Sequence, residues 1–314
     1  MREHDYESAY DDIPDTMRRG RRKKRTDDRD RSGRLTEEER ANLARVREDA
    51  LSDADKPEDG DRWSTWDGAD HGPTPRPDWV ITELSATDLE LGVLKTGKEA
   101  DVHLVERRGS GGSCLMAAKR YRSADHRMFH RDAGYLEGRR MRRSREMRAM
   151  GNRSSFGRNL ISEQWAVAEF GALSRLWQLG APVPYPVQRS GTELLLEFIG
   201  DDDGTAAPRL AQCRPEPDEL VDLWRQLVTA LTLLAKEGVA HGDLSAYNLM
   251  VHDGVLVMID LPQVVDLVAN PKAEQILERD VRNVSEWFGS RGLPPEVVDA
   301  RELMIVLVDA AGLN

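Results

Sequence analysis

The sequence predicts an α+β fold of two lobes, a β-rich first lobe followed by a helical second lobe, with a disordered arm before them. Residues 1–77 are rich in charged residues, glycine and proline and poor in aliphatic residues. From about residue 88, apolar residues alternate or cluster between glycine-containing turns, as in a small antiparallel sheet. From residue 160 onward, apolar residues recur mainly at helical intervals, so a helix-rich half follows a strand-rich half.

The arm at residues 1–77 cannot bury enough apolar surface to offset the entropy of ordering it, so we expect most of it to be disordered. The change in apolar pattern after the arm predicts one domain over 78–292 and a C-terminal helix over 293–314. Within the domain we expect a first lobe at about 85–196, a hinge at 197–200 and a second lobe at 201–292.

Composition excludes several classes of protein. The two cysteines, Cys114 and Cys213, are far apart and form neither a disulfide framework nor a zinc-binding spacing, so we expect a reducing, cytoplasmic setting. No uncharged apolar run approaches the ~20 residues that span a bilayer, so no membrane partner is expected. The formal net charge of −11 argues against indiscriminate binding to nucleic acid.

In the first lobe, the segment CLMAAKRY places Lys119 inside an apolar strand, where a solvated ammonium group is unfavourable. Pairing with a phosphate and with a helix carboxylate would explain this position, and a lysine that extends from a sheet edge into solvent is the alternative. The helix predicted over 160–180 offers Glu163 and Glu169. Glu169 lies within the apolar stripe AEFGAL and is the better candidate for the partner.

The loop HGDLSAYN at 241–248 follows a predicted helix, and the apolar strand VLVMID at 255–260 follows the loop. Asp243 and Asn248 stand five residues apart, which is the separation of the acid and the metal-binding amide in the catalytic loop of kinases. Asp260 falls where a second metal-binding acid is expected. Phosphoryl transfer from ATP needs a carboxylate that orients the attacking hydroxyl, oxygen ligands for Mg²⁺ and a cation on the phosphates. The pattern therefore predicts a two-lobed protein-kinase-like fold with an ATP site.

Two further segments and one side chain complete this predicted site. The turn in LKTGKEADVHLV contains Gly97 and could present backbone N–H groups to phosphates, although TGKEA is a weak motif by itself. LLLEFIG runs between the two lobes, and we expect the backbone of Glu197 and Ile199 to face the edge of adenine. We expect His241 to brace the loop by hydrogen bonds rather than to take a proton.

These segments, in this order, resemble the RIO family of atypical serine/threonine kinases, in its RIO1-like branch, across roughly 85–290. The matching blocks are LKTGKEADVHLV, AAKRY, AEF, VPYP, LLLEFIG, HGDLSAYNLM, VMIDLPQVV and ERDVRNVSEWF. The resemblance implies a kinase fold with a trimmed helical second lobe that lacks an activation loop and substrate-docking segments. It also implies site residues, which are Asp243, Lys119 and Asn248 for catalysis, Asn248 and Asp260 for Mg²⁺ (or Mn²⁺), and Thr96, Gly97, Lys98, Glu99, Val102, Lys119, Glu169, Glu197 and Ile199 for ATP.

The resemblance implies a non-specific serine/threonine protein kinase or ATPase that acts on a protein, on itself or on a ribonucleoprotein, with a link to ribosome maturation. Two departures bear on the acceptor. Gly242 stands where the family usually has alanine, and HGD is the form seen in aminoglycoside phosphotransferases. Leu261 and Pro262 stand where the family tends to have a small or polar pair. A small-molecule phosphotransferase therefore remains the alternative, and a nucleotide-sensing module without turnover is the third hypothesis.

Residues 120–158 form an arginine-rich insertion, with twelve arginines against four acidic residues. Such a segment beside an ATP site could bind RNA phosphates or an acidic protein, with Phe129, Tyr135 and Phe156 available for stacking. A loop whose charge only balances the acidic remainder is the alternative.

Overall fold

The computed structural model describes residues 56–122, 155–261 and 264–313. A β-rich lobe is followed by a lobe that holds most of the helices, so the predicted two-lobed α+β architecture is confirmed. The elements are β1 (Arg62–Trp63), β2 (Asp70–His71), β3 (Thr87–Thr96), β4 (Ala100–Gly109), β5 (Gly112–Tyr121), α1 (Ser155–Gln178), β6 (Pro186–Ser190), β7 (Glu193–Glu197), α2 (Pro217–Lys236), β8 (Val239–Ala240), β9 (Leu249–His252), β10 (Val255–Met258), β11 (Val265–Asp266), α3 (Ala273–Ser290) and α4 (Ala300–Ala310).

The first lobe is built on an antiparallel sheet of seven described strands in the order β1-β3-β4-β5-β7-β6-β2. The turn between β3 and β4 requires a glycine. A Cβ atom on Gly97 would lie 2.7 Å from the carbonyl oxygen of Ala100, and the Gly97 N–H donates to that same oxygen at 3.0 Å. The backbone therefore closes more tightly here than any side chain would allow.

The two faces of this sheet are buried by different parts of the chain. The inner face joins a core that continues through the second lobe, and its buried residues are Ala100, Tyr121, Leu194 and Leu196. The outer face packs in a separate cluster with Trp66, and its buried residues are Val105, Met116, Ala118 and Leu195. The alternation follows from strand geometry, because neighbouring residues of a strand point to opposite sides.

The prediction of a disordered arm as far as residue 77 is wrong for residues 56–77. β1 and β2 lie at opposite edges of the sheet, and Trp66 is only 8% exposed against the outer face. His71 stacks on the Trp66 ring at 3.9 Å between ring centroids. A buried aromatic side chain contributes a large apolar area, which an average over a charged segment conceals. Residues 1–55 of the predicted arm lie outside the described residues.

A buried ion pair attaches this N-terminal segment to the sheet. Arg107 is fully buried and donates from Nε to Asp88 Oδ1 at 2.7 Å and from Nη2 to Asp88 Oδ2 at 3.0 Å. Its Nη1 donates to Gln188 Oε1 at 2.8 Å, and Gln188 in turn donates to the Thr65 hydroxyl at 2.8 Å. The network thus connects β3, β4 and β6 with the residues that precede Trp66.

The helix α1 begins at Ser155, five residues before the predicted start at residue 160. It ends at Gln178, and Gly180 adopts a φ of +77°, the left-handed conformation that is typical of a glycine after a helix. One face of α2 is a buried leucine stripe at helical spacing, which consists of Leu223, Leu227, Leu231 and Leu234. No helix in the described ranges is both long enough and apolar enough to cross a membrane.

The C-terminal helix is shorter than the predicted range of 293–314. α4 covers Ala300–Ala310 and is capped by Asp299, whose side chain accepts from the N–H groups of Arg301 and Glu302. The proline pair at 294–295 explains why no helix begins at residue 293, because proline disfavours helical backbone at the residue before it and lacks an N–H donor.

We predict that Arg107→Met lowers the free energy of unfolding by about 3 kcal/mol, because it leaves the buried Asp88 carboxylate without its main partner. Arg62 Nε lies 3.4 Å from Asp88 Oδ2 and would still partly neutralise the Asp88 carboxylate. We therefore expect a cost at the low end of the range of about 3–5 kcal/mol for breaking a buried ion pair. Urea unfolding followed by tryptophan fluorescence measures the change. Arg108→Met, on the exposed neighbour, is the control and should leave the midpoint unchanged. Equal midpoints for both variants would contradict the prediction.

Candidate active site

A cleft of about 1470 Å³ lies between the inner face of the sheet and the second lobe. It is lined by most of the residues that the sequence predicted for the site, namely Thr96, Gly97, Lys98, Glu99, Val102, Lys119, Glu169, Glu197, Ile199, Asp243 and Asp260. Asn248 does not line the cleft and is only 7% exposed. The structure thus brings the predicted residues of both lobes to one cavity, with Asn248 directly behind its wall.

Lys119 is positioned by the sheet and held by two carboxylates. The strand register places it opposite Val102 on β4 and Leu194 on β7, so its side chain shares the inner face with theirs. Its Nζ lies 2.6 Å from Glu169 Oε1 and 2.8 Å from Asp260 Oδ1. The helix partner is therefore the predicted choice, Glu169.

Glu169 is the most enclosed group of the site, with 1% of its surface exposed. Besides the bond from Lys119, its carboxylate accepts from the Tyr121 hydroxyl and, at 3.1 Å, from the Leu261 N–H. Its partners come from β5 and from the chain that follows Asp260. One carboxylate on α1 therefore fixes two other parts of the site.

The pKa shifts in this cluster keep its charges in place at neutral pH. Burial alone would lower the pKa of Lys119, but the Glu169 and Asp260 carboxylates outweigh it, so the pKa lies above the ordinary value. Burial would raise the pKa of Asp260, but the Lys119 ammonium group outweighs it, so that pKa lies below the ordinary value. Burial, followed by the charge of Glu169, raises the pKa of Tyr121, which therefore stays a hydroxyl donor.

His241 has the contacts of a bracing residue. It is 1% exposed, its Nε2–H donates to the Ile259 carbonyl at 3.1 Å, and its Nδ1 accepts from the Asp243 N–H at 3.4 Å. Burial lowers the pKa of His241, so the ring is neutral, with one nitrogen as donor and the other as acceptor. Both ring nitrogens are used in holding the loop, as the sequence predicted.

Asp280 on α3 is a positioning residue that the sequence analysis did not single out. Its carboxylate accepts from the Gly242 N–H at 2.7 Å and from the Leu244 N–H at 3.1 Å, on the two sides of Asp243. The neighbouring Asn283 donates to the Leu244 carbonyl at 3.1 Å. A signal was present in the sequence, because Asp280 stands on the apolar face of an amphipathic helix. In the structure Asp280 is only 1% exposed.

The backbone of Gly242 has a φ of +85°, in the left-handed region where glycine is free of strain. This conformation accounts for the glycine of the HGD sequence without reference to the acceptor. The inference that Gly242 indicates a small-molecule phosphotransferase therefore loses its support.

Asp260 also has a left-handed backbone, with a φ of +65°. For a residue other than glycine this conformation costs on the order of 1–3 kcal/mol and is concentrated at functional sites. The conformation occurs where β10 has ended, and the Asp260 carboxylate meets Lys119 there.

Asn248 and Asp260 fit a magnesium site in their chemistry. The Asn248 side-chain N–H donates to the Asp243 backbone carbonyl at 2.8 Å, and the Asn248 backbone carbonyl accepts from the Ile259 N–H at 3.0 Å, so neither bond uses the side-chain oxygen of Asn248. Among the described residues no group of three or more His, Cys, Asp or Glu could hold a metal by itself. Mg²⁺ usually binds one or two protein oxygens together with substrate phosphates and water, so an amide and a carboxylate suffice.

The segment between the lobes offers a backbone donor to the cleft at Ile199. The Glu197 N–H donates to the Tyr185 carbonyl at 2.8 Å, and the Glu197 carboxylate accepts from the Tyr185 N–H at 2.9 Å. The Ile199 carbonyl accepts from the Ala207 N–H at 3.0 Å. The Ile199 N–H has no hydrogen-bond acceptor among the described residues, and Ile199 lines the cleft.

Comparison with known proteins agrees with this geometry. The model of the RIO domain family matches residues 114–303. The chain is 37% identical over 204 residues to the RIO-type serine/threonine-protein kinase Rio1 of Haloferax volcanii, which covers 64% of this chain and 63% of that protein. It is 32% identical over 275 residues to the serine/threonine-protein kinase RIO1 of Caenorhabditis elegans, and the alignment covers 84% of this chain and 51% of that protein. It is 30% identical over 235 residues to the serine/threonine-protein kinase RIO1 of Saccharomyces cerevisiae, and the alignment covers 68% of this chain and 46% of that protein. The chain thus spans less than two thirds of the length of each of these relatives, and about half of two of them.

We predict that Lys119→Met raises the pKa of Asp260 above its ordinary value, because burial then acts without the opposing ammonium charge. In the wild type the lowered pKa stabilises the fold at neutral pH, and this contribution is lost as the pH falls through that pKa. Titration of the side-chain carboxyl ¹³C signals by NMR measures the shift. Lys236→Met, on an exposed lysine of α2, is the control. An Asp260 pKa that stays below the ordinary value in Lys119→Met would refute the assignment.

Proposed function

The chain belongs to the RIO family, and on that premise we propose that it is an ATP-dependent protein kinase that transfers the γ-phosphate to a serine or threonine. The observation that carries the proposal is the convergence of Lys119, Glu169 and Asp260 beside Asp243 in one cleft between two lobes. A phosphotransferase needs these groups together, since positioning and charge stabilisation supply most of the catalysis.

Each of these side chains has a proposed role. Asp243, held on both sides by Asp280, orients the acceptor hydroxyl and accepts its proton. Lys119 contacts the phosphates of ATP, and Glu169 keeps the ammonium group in position. Asn248 and Asp260 would hold Mg²⁺, which when bound neutralises phosphate charge; Mn²⁺ has the same ligand preference.

Nucleotide recognition is proposed for the turn and for the segment between the lobes. Thr96, Gly97, Lys98 and Glu99 form the phosphate loop, in which the close approach at Gly97 shapes the backbone. Val102, on the inner face, contacts the base. The Ile199 N–H donates to a ring nitrogen of adenine, and the backbone of Glu197 accepts from its exocyclic amine.

For the acceptor we propose a protein, or the chain itself, rather than a small molecule. The relatives named above are serine/threonine-protein kinases by name, and the backbone of Gly242 explains the glycine that favoured the alternative. Three expectations stay predictions from the sequence: a ribonucleoprotein substrate, RNA or an acidic protein bound at residues 120–158, and a cytoplasmic location. Residues 123–154 lie outside the described residues. Cys114 and Cys213 are both free thiols.

We predict that Asp243→Asn and Asp260→Asn each reduce phosphoryl transfer at least about 100-fold, because one removes the base and the other a metal ligand. Release of ADP and incorporation of γ-phosphate into the chain itself are measured with Mg-ATP. Asp253→Asn is the matched control, since Asp253 also has a left-handed backbone (φ +50°), which asparagine tolerates, and its side chain is 88% exposed in the turn between β9 and β10. Equal activity in the wild type and all three variants would exclude the proposed enzymatic function of this site.

We also predict that ATP binds more tightly than GTP, by at least about tenfold. The Ile199 N–H matches the acceptor at N1 of adenine, whereas guanine presents a donor there and would leave two donors facing each other. Competition of ATP and GTP against a fluorescent adenine nucleotide measures the preference. The same competition with ADP and GDP is the control for a contribution from the terminal phosphate. We expect the ratio of the ADP and GDP affinities to equal that of the ATP and GTP affinities. Equal affinities for the two bases would remove the proposed adenine contact.

A further inference from the structure

Lys95 lines the cleft near the end of β3, a strand that contains two β-bulges. In the pairing of β3 with β4, Val93 is opposite His103 and Lys95 is opposite Val102, so two residues of β3 match one step of β4. An earlier shift, between Glu90 and Gly92, changes the alternation of β3, and this second shift restores it, so Lys95 projects from the inner face. Bulges of this kind redirect side chains next to active sites.

The bulge aligns Lys95 with the central lysine of the site. Lys95, Val102 and Lys119 occupy consecutive strands in one cross-strand row, and directly opposed residues project from the same face. Lys95 is therefore two strands from Lys119, about 10 Å between Cα atoms, on the face that lines the cleft.

Arg209 approaches the same region from the second lobe. It lines the cleft, and its guanidinium group donates from Nη1 to the carbonyl oxygen of Tyr247, between Asp243 and Asn248 in the loop. A guanidinium group has five N–H donors, so this single bond leaves donors for a further acceptor. Arg209 thus combines a fixed position with spare hydrogen-bonding capacity.

Lys95 and Arg209 are two cations that line the same cleft. Among the described residues, no carboxylate lies within ion-pairing distance of either side chain. Partial desolvation by the cleft walls, followed by repulsion from Arg209, lowers the pKa of Lys95, while Asp260 acts in the opposite direction. Two neighbouring cations without a directly bound anion form a region of positive potential, which a phosphate group would neutralise.

We propose that Lys95 and Arg209 bind the terminal phosphate of ATP from opposite lobes and thereby let the site distinguish ATP from ADP. This inference rests on the proposed kinase function. The terminal phosphate is favoured over the inner ones because the transferred group must reach Asp243. Arg209 is attached to the loop that carries Asp243, and both cations interact electrostatically with Asp260 at the same end of the cleft. The adenine end, at Ile199, is formed by other residues.

The test compares the affinities of ADP and of the β,γ-imido analogue of ATP, both with Mg²⁺, by isothermal titration calorimetry. We expect Lys95→Met to weaken binding of the ATP analogue about tenfold and to change ADP binding less than about twofold, because a charge-assisted hydrogen bond to the terminal phosphate is lost. Lys95→Arg keeps the cation and should retain the preference for the ATP analogue. Lys236→Met is the control for loss of a lysine outside the cleft.

Arg209→Met should give the same selective loss. Equal weakening of both nucleotides in this variant would show that Arg209 acts through the loop and would overturn its part in the proposal. An unchanged ratio of the two affinities in Lys95→Met would overturn the part of Lys95 while the kinase function stands. Absence of binding of either nucleotide to the wild type would overturn both the inference and the proposed function.

Discussion

The geometry of the cleft depends on the buried carboxylate of Glu169. Its three donors belong to β5 and to the chain after Asp260, so a single charged group joins the sheet, α1 and the end of the catalytic segment. A buried carboxylate is tolerated only while its hydrogen bonds are made, and the loss of its ionic partner costs about 3–5 kcal/mol. The same requirement that stabilises Glu169 therefore keeps Lys119 in position, and Lys119 in turn holds Asp260.

The loop around Asp243 illustrates how positioning is separated from chemistry. Asp280 holds the backbone on both sides of Asp243, and His241 connects the loop to the strand segment that leads to Asp260. These contacts use backbone groups, so they leave the reactive carboxylates to face the cleft. The strain of the left-handed Asp260, about 1–3 kcal/mol, is of the same order as a hydrogen bond to a charged group, about 1.5–3 kcal/mol, such as the one from Lys119.

The chemistry of the site could be predicted from the sequence because it depends on local spacing. The five-residue step from Asp243 to Asn248 is set within one loop, and a lysine within an apolar strand needs a partner wherever the strand lies. The place of Trp66 could not be predicted in this way, since its burial depends on the outer face of a sheet formed by residues far along the chain. The two bulges of β3 are a property of strand pairing, so the alignment of Lys95 with Val102 and Lys119 could not be predicted from β3 alone. Asp280 lies between these cases, because its helical position was visible but its partners were not.

The electrostatics of the cleft also follow from long-range structure rather than from composition. A chain with a net charge of −11 repels a polyphosphate at a distance, so local cations must create the favourable potential. Lys95 and Lys119 come from two strands, Lys98 from the turn and Arg209 from the second lobe. Because Arg209 alone comes from the second lobe, the complete set of cations at the proposed phosphate site exists only while the two lobes are held in register. That register is fixed at the cleft by Glu169, so the residue that contacts none of the proposed reacting atoms still determines the field in which they react.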